Sequence, residues 1–215
     1  MLSKSKIQTY KNCPYLYKLL YIDKREADYQ TSYAKRGEDI HKLLYDFFDN
    51  YAVENGTLTP LFEIPYPYRK HFDNFLAFEQ MRLNALKDKY PAILCRETEF
   101  TNSDLDIHGI VDRVDELPKV TIIEYKTGSP NPVELIKELH FYYLCVKPEF
   151  KAERVLAICL KDGLIVSSEI KQNIVEAVLK EIKFVREGIE NELFDKKPSY
   201  NCRWCPFYDL CSNSE

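Results

Sequence analysis

Apolar side chains recur at helical intervals up to about residue 92, and beyond it short strand-like apolar runs alternate with further helical stretches. Over residues 34–51, Ile40, Leu43, Leu44, Phe47, Phe48 and Tyr51 fall at three- and four-residue steps, which predicts a helix with one apolar face. Residues 69–90 read as a second helix, although Phe72, Phe75, Leu76, Glu79 and Leu83 give it a mixed face. Ahead of both, Ser3 or Ser5 can cap a short helix through Tyr10, interrupted at Cys13-Pro14. Prolines punctuate residues 60–67, which read as a loop. Beyond Pro91, short apolar runs predict strands over 93–100, 105–112 and 120–125, joined through Thr101-Asn102-Ser103-Asp104 and Glu116-Leu117-Pro118-Lys119. After a break at residues 127–132, a helix is expected over 133–146 and a buried strand over 155–160. The turn Lys161-Asp162-Gly163 leads into a strand over 164–170, and a helix closes residues 171–191. Ile174, Val178, Ile182, Val185 and Ile189 lie along one side of that last helix.

This order predicts a single α/β domain over 1–215, with a mixed sheet flanked by helices. It divides into a helical N-terminal portion (1–92), a core (93–191) and a cysteine-rich tail (192–215). At 215 residues, 45% hydrophobic and with 16 tyrosines and 12 phenylalanines, the chain has ample apolar surface to bury, and disorder is not expected. The net charge of −4 offers no global attraction to a polyanion, so any nucleic-acid binding must be local. The first 42 residues provide a basic region: Lys4, Lys6, Lys11, Lys18, Lys24, Arg25, Lys35, Arg36 and Lys42 stand against five acids. No apolar run is long enough to span a bilayer, and the first residues lack the apolar stretch of a secretory signal. The expectation is a cytoplasmic protein without membrane contact, in a compartment where disulfides are rare.

Acids stand where core strands usually carry apolar side chains. Asp112 closes the run Gly109-Ile110-Val111, and Glu124 closes Val120-Thr121-Ile122-Ile123. If the two strands form a hairpin around Pro118, they lie about 5 Å apart and both carboxylates reach one point. Lys126, two residues on, shares the face of Glu124, whereas Tyr125 points away. Paired carboxylates repel unless a cation joins them, and oxygen ligands suit Mg²⁺ or Mn²⁺. A lysine beside them could orient water or stabilise charge on a phosphate, which completes the parts for metal-assisted phosphodiester hydrolysis.

Cys202, Cys205 and Cys211 form a C-x₂-C-x₅-C array, and Cys13 could supply a fourth thiolate. Such a set binds Zn²⁺ or an iron–sulfur cluster. Zinc ribbons usually draw on two C-x₂-C knuckles, and Cys13 has no close partner. Cys95, Cys145 and Cys159 lie in apolar segments and read as small core residues.

Asp112 followed by Glu124-Tyr125-Lys126 on consecutive strands resembles the PD-(D/E)XK nuclease superfamily, and more closely its RecB-like branch. That branch carries Gly-x-x-x-His upstream, matched by Gly37 to His41. It carries Gly-x-x-Asp-Arg, matched by Gly109 to Arg113, and Lys-Thr-Gly, matched by Lys126-Thr127-Gly128. Leu2-Ser3-Lys4-Ser5, Tyr10, Cys13-Pro14, Tyr17-Lys18 and Tyr21-Ile22-Asp23 resemble its opening. The resemblance implies a restriction-endonuclease-like core in which His41, Asp112, Glu124 and the Tyr125 main-chain carbonyl hold the metal. Lys126 is then the catalytic lysine, and Glu97 completes the site with Glu99 as the other choice. The branch usually has Gln with Tyr four residues on in the following helix; here Glu138, paired with Tyr142, or His140 takes that place. The cysteines resemble the iron–sulfur staple of nucleases such as AddB and the CRISPR-associated exonucleases, which implies a 4Fe-4S cluster on Cys13, Cys202, Cys205 and Cys211. The implied activity is Mg²⁺- or Mn²⁺-dependent cleavage of DNA, as an exonuclease at single-stranded or frayed ends. The alternative is a DNA-binding or assembly subunit with weak or no cleavage. A helicase, recombinase or CRISPR integrase would fit as partner. DNA is expected over the basic N-terminal helices, with Tyr10, Tyr17 or Trp204 as candidates to stack on bases.

Overall fold

In the computed structural model, residues 1–27 and 32–212 are described. Residues 28–31 of the basic stretch and the last three of the tail lie outside them. The Ser3 hydroxyl accepts from the Lys6 N–H and starts α1 (Lys4–Asn12), and Pro14 opens the short α2 (Pro14–Tyr17), followed by a π turn over Lys18–Ile22. α3 (Ser32–Phe47) buries Ile40, Leu44 and Phe47. It stops four residues short of the helix expected over 34–51. Asn55 and Gly56 both adopt positive φ (51° and 78°), and this Asn-Gly turn folds β1 (Tyr51–Glu54) antiparallel onto β2 (Thr57–Pro60). The hairpin takes Tyr51 out of the helix, and Tyr51 stacks on Phe47 from its strand. α4 (Arg69–Leu86) completes this helical layer.

β3 (Ile93–Asn102), β4 (Ile107–Asp115) and β5 (Thr121–Lys126) form an antiparallel meander. α5 (Pro132–Val146), capped by Asn131, crosses over so that β6 (Arg154–Cys159) runs parallel to β5. β7 (Leu164–Glu169) closes the edge, giving one five-stranded mixed sheet in the order β3-β4-β5-β6-β7. α6 (Gln172–Glu190) packs on α5, and the tail ends in α7 (Tyr208–Ser212). This α/β architecture, a mixed sheet between helices, is the fold class expected. No helix among the described residues is long and apolar enough to cross a membrane.

Strand alternation splits the core in two. Ile122 joins Leu139, Val155 and Val178 under α1, α5 and α6; Ile123 and Tyr125 join Leu44, Phe47 and Phe75 under α3 and α4. Glu124 and Lys126 therefore belong to the α5 side. β4 breaks its own alternation: Val111 and Val114 both enter the α5-side core although they stand an odd number of positions, three, apart. The change of phase falls at Asp112. On the neighbouring strand, Glu97 lies between the partners of Arg113 and Val111 and has φ 44°, a left-handed conformation uncommon for a side chain of its size.

Tyr10 ties the two ends of the chain, donating its hydroxyl to the Leu193 carbonyl at 2.7 Å. It lies directly against Gly188, where an added Cβ would fall on the Tyr10 hydroxyl. Tyr17, Phe184 and Phe194 pack around that ring, so it has little room to yield. Gly188→Ala is expected to destabilise the fold by about 1–3 kcal/mol through overpacking, read as a lowered midpoint in urea; an unchanged midpoint would mean the ring moves freely.

Candidate active site

Register and packing bring the acids together. Arg113 faces Ile123, so one step further Asp112 lies alongside Glu124. There a side chain replaces the ladder: the Tyr125 N–H donates to Asp112 Oδ2 at 2.6 Å. The other Asp112 oxygen lies 3.1 Å from His41 Nδ1, delivered by α3 from the opposite layer. His41 is also 3.6 Å from Glu97 Oε1. His41, Glu97 and Asp112 each present one atom within 4.8 Å of the others, a spacing that one cation could bridge. The Tyr125 ring turns to the α4 side against Phe75, which leaves its backbone beside Asp112.

Glu124 is buried, with one oxygen 2.8 Å from Lys126 Nζ. Its other oxygen, Oε2, is buried without a hydrogen-bond partner. Burial, reinforced by the Asp112 charge, pushes the Glu124 carboxyl up to about 8. Burial acts to lower His41, but hydrogen bonds to Asp112 and Glu97 outweigh it and raise the imidazole to about 10. The three clustered donors suit a hard divalent cation, and no other group of three donors this close occurs among the described residues; Glu124, with its orphaned oxygen, stands alongside Asp112 but is not within that cluster.

Lys126 is held from two sides, by Glu124 and by Glu138 Oε1 at 2.9 Å, below the Tyr142 ring. Despite its burial, these carboxylates keep its ammonium well above the ordinary lysine range. Gly109 on β4 leaves room for that ring: a Cβ there would stand 3.1 Å from it. His140 is placed elsewhere. It is fully buried, with Nδ1 2.7 Å from the Ile136 carbonyl and Nε2 accepting from the Lys171 N–H. Of the two residues weighed for the glutamine position, Glu138 reaches the lysine. Glu99 is exposed and pairs with His108 at 2.9 Å, outside the cluster that Glu97 joins.

The support beneath the site is a buried charge network that no sequence motif announces as a whole. Arg113 is wholly buried; it pairs with Glu79 of α4 and with Asp115, and it donates to the Tyr125 hydroxyl. Arg82 adds a second cation to Asp115, and Tyr90 donates to Glu79. Glu79, which made the helical face look mixed, is fully buried as the partner of Arg113. That fixes β4 and β5 against α4 on the side opposite Glu124.

Cys13, Cys202, Cys205 and Cys211 line one cavity of about 550 Å³ with Tyr15, Leu16 and Phe207. The Leu16 N–H points to the Cys13 sulfur and the Ser199 N–H to that of Cys202. Among the described residues no three of these sulfurs approach within 4.8 Å of one another. Tetrahedral zinc, with Zn–S of about 2.3 Å, would draw them to about 3.8 Å. Cys145 and Cys159 are buried and Cys95 is partly buried in the α5-side core. Tyr10 and Tyr17, weighed as stacking residues, are buried at 3% and 5% exposure; burying a large ring outweighs leaving it in water. Trp204 is 72% exposed. The basic region is partly engaged internally, since Lys11 pairs with Glu181 and Lys18 with Asp23.

A family model described as the PD-(D/E)XK nuclease superfamily matches residues 1–212. No curated protein matches the chain. Among solved structures, a protein from Eubacterium rectale with a provisional exonuclease assignment is similar at a TM-score of 0.54 and 9% identity, over 99% of this chain and 88% of that one. The protein designated SSO0001 aligns at a TM-score of 0.40 and 16% identity, over 82% of this chain and 96% of its own. At such identities the first likeness speaks for the fold alone.

Proposed function

The chain belongs to the PD-(D/E)XK nuclease superfamily, and from that premise we propose that it is a divalent-metal-dependent DNA nuclease of the RecB-like branch. We place its action at single-stranded or frayed ends. The observation that carries this reading is the cluster of His41, Glu97 and Asp112, with the unpartnered, buried Oε2 of Glu124 on the strand alongside Asp112. Those four side chains, with the Tyr125 carbonyl, would hold Mg²⁺ or Mn²⁺. A cation there supplies an activated water and neutralises charge on the scissile phosphate. The chain's own part is positional. Asp112 is fixed by the Tyr125 amide, and Glu138 and Glu124 steer the Lys126 ammonium to where a water or a non-bridging oxygen would lie. Digestion of end-labelled single- and double-stranded DNA, linear and circular, with Mn²⁺ or EDTA tests this: cutting only with metal and only from ends is expected, and metal-independent cutting would overturn it.

Protonation gives a second test. Glu124 holds a proton below about 8 and His41 below about 10, and both must lose it to bind a cation. Mn²⁺ affinity is therefore expected to rise between pH 6 and pH 8, with proton release measurable by calorimetry in buffers of different ionisation enthalpy. Affinity independent of pH would remove these two residues from the ligand set.

The two-sided hold on Lys126 favours a second reading, a DNA-binding subunit with weak cleavage, because two carboxylates compete with substrate for one ammonium. Tight DNA binding without metal-dependent cleavage would decide for it. For the cysteine cavity we propose a 4Fe-4S cluster on Cys13, Cys202, Cys205 and Cys211. The cavity's size and the N–H groups aimed at two sulfurs support it. An anaerobic preparation should be brown and absorb near ~400 nm; a colourless protein containing zinc would exclude it.

A further inference from the structure

A groove of about 670 Å³ runs between the start of α1 and the α5 side of the sheet, separate from the cysteine cavity. Lys4 and Gln8 line one wall, and His108 and Glu99 the other. Glu138 and Tyr142, two of the residues around Lys126, also line it. The N-terminal segment is stitched in place to form it: the Leu2 N–H donates to the Asp106 carbonyl, and the His108 N–H donates to that of Leu2. The Leu2-Ser3-Lys4-Ser5 opening thus has a structural result, which is to hold Lys4 over the approach to the catalytic strand.

Neither carboxylate of the groove bonds Lys4. Glu138 is already paired with Lys126, and Glu99 with His108. Lys4 is half-buried and makes no hydrogen bond or ion pair among the described residues. The carboxylates of Glu138, Glu181 and Glu134 ease its charge from a distance without bonding it, so a phosphate that bonded it directly would add a contact they do not make. We propose that the groove is a phosphate subsite in which Lys4 takes the phosphodiester next to the one that faces Lys126. The inference deepens the nuclease reading and rests on it. The occupant is a single strand continuing past the cut, its backbone phosphate on Lys4 and its sugar or base against Gln8 and Tyr142.

The test is fluorescence anisotropy of the full chain with a short labelled single strand in EDTA over a range of salt. Lys4→Ala and Lys4→Gln are expected to weaken binding about tenfold, the worth of one charge-assisted contact. They should also flatten the log–log salt slope by about 0.7, one phosphate on a single strand. Lys4→Arg should retain both affinity and slope. In Mn²⁺-dependent cleavage, Lys4→Ala should raise KM several-fold and leave kcat within about twofold. Wild-type cutting with an unchanged slope in both neutral variants overturns the subsite alone. A wild type that binds without cutting overturns the nuclease reading, and the variants still decide the subsite. A wild type that neither binds nor cuts overturns both. Thermal melts of each variant separate loss of contact from loss of fold.

Discussion

Asp112→Asn and Lys126→Ala are each expected to lower metal-dependent cleavage by on the order of a thousandfold while the melting temperature stays near that of the wild type. Asp112 has two tasks, one per oxygen: it accepts from the Tyr125 N–H and it faces His41. Asparagine can keep the first contact and supplies no negative charge for the second. A cation at such a centre is worth several kcal/mol of charge stabilisation, and each 1.4 kcal/mol is about a decade in rate. Lys126→Ala removes the ammonium instead, leaving Glu124 and Glu138 facing each other without it. Mn²⁺ binding by calorimetry tells the two apart: it should fail in Asp112→Asn and persist in Lys126→Ala. Full activity in both variants would sink the assignment of the site.

Arg113→Met is expected to produce the largest loss of stability of any single change near the site, about 3–5 kcal/mol, because it strands buried charge. Glu79 would keep only the Tyr90 hydroxyl, and Asp115 only Arg82. Burial already drives the Glu79 carboxyl above the usual range in spite of the arginine beside it. The double change Arg113→Met with Glu79→Leu should recover part of the loss, since apolar replacement of a whole buried pair is often neutral. Urea unfolding measures both, and a single-variant loss below about 1 kcal/mol would show that the network does not hold α4 to the sheet.

Much of this was legible in the residues, for reasons that can be stated. Acids at strand ends are common, so Asp112 and Glu124 gained force only with Gly37 and His41 upstream and the four cysteines, while the spacing of two fixed Lys126 on the Glu124 side. The limits are equally physical. Residues two apart on a strand share a face, so the face alone did not separate Glu97 from Glu99; the spacing to Phe100 favoured Glu97, and the left-handed turn at Glu97 sets the two apart. Residues two apart on a helix lie nearly opposite, so only one of Glu138 and His140 could reach the lysine. Leu135, Leu139, Phe141, Leu144, Cys145 and Val146 are buried around most of α5, and its polar residues Glu134, Lys137 and Glu138 are confined to the first half, which left the phase at His140 unmarked. Asn55-Gly56 signalled the hairpin in the sequence, but the apolar period running through to Tyr51 masked it. Glu79 was read as noise in an apolar face because its partner lies 34 positions away.

The donors come from different layers. His41 rides on α3, Asp112 and Glu124 on the sheet, and Glu138 on α5, so each face of the sheet contributes one helix-borne group through its own core. The centre therefore works as an AND gate on folding. In a denaturant titration, cutting should disappear with whichever core loosens first, ahead of any loss of helix signal from the other. A half-folded chain would carry every residue of a nuclease and leave DNA uncut.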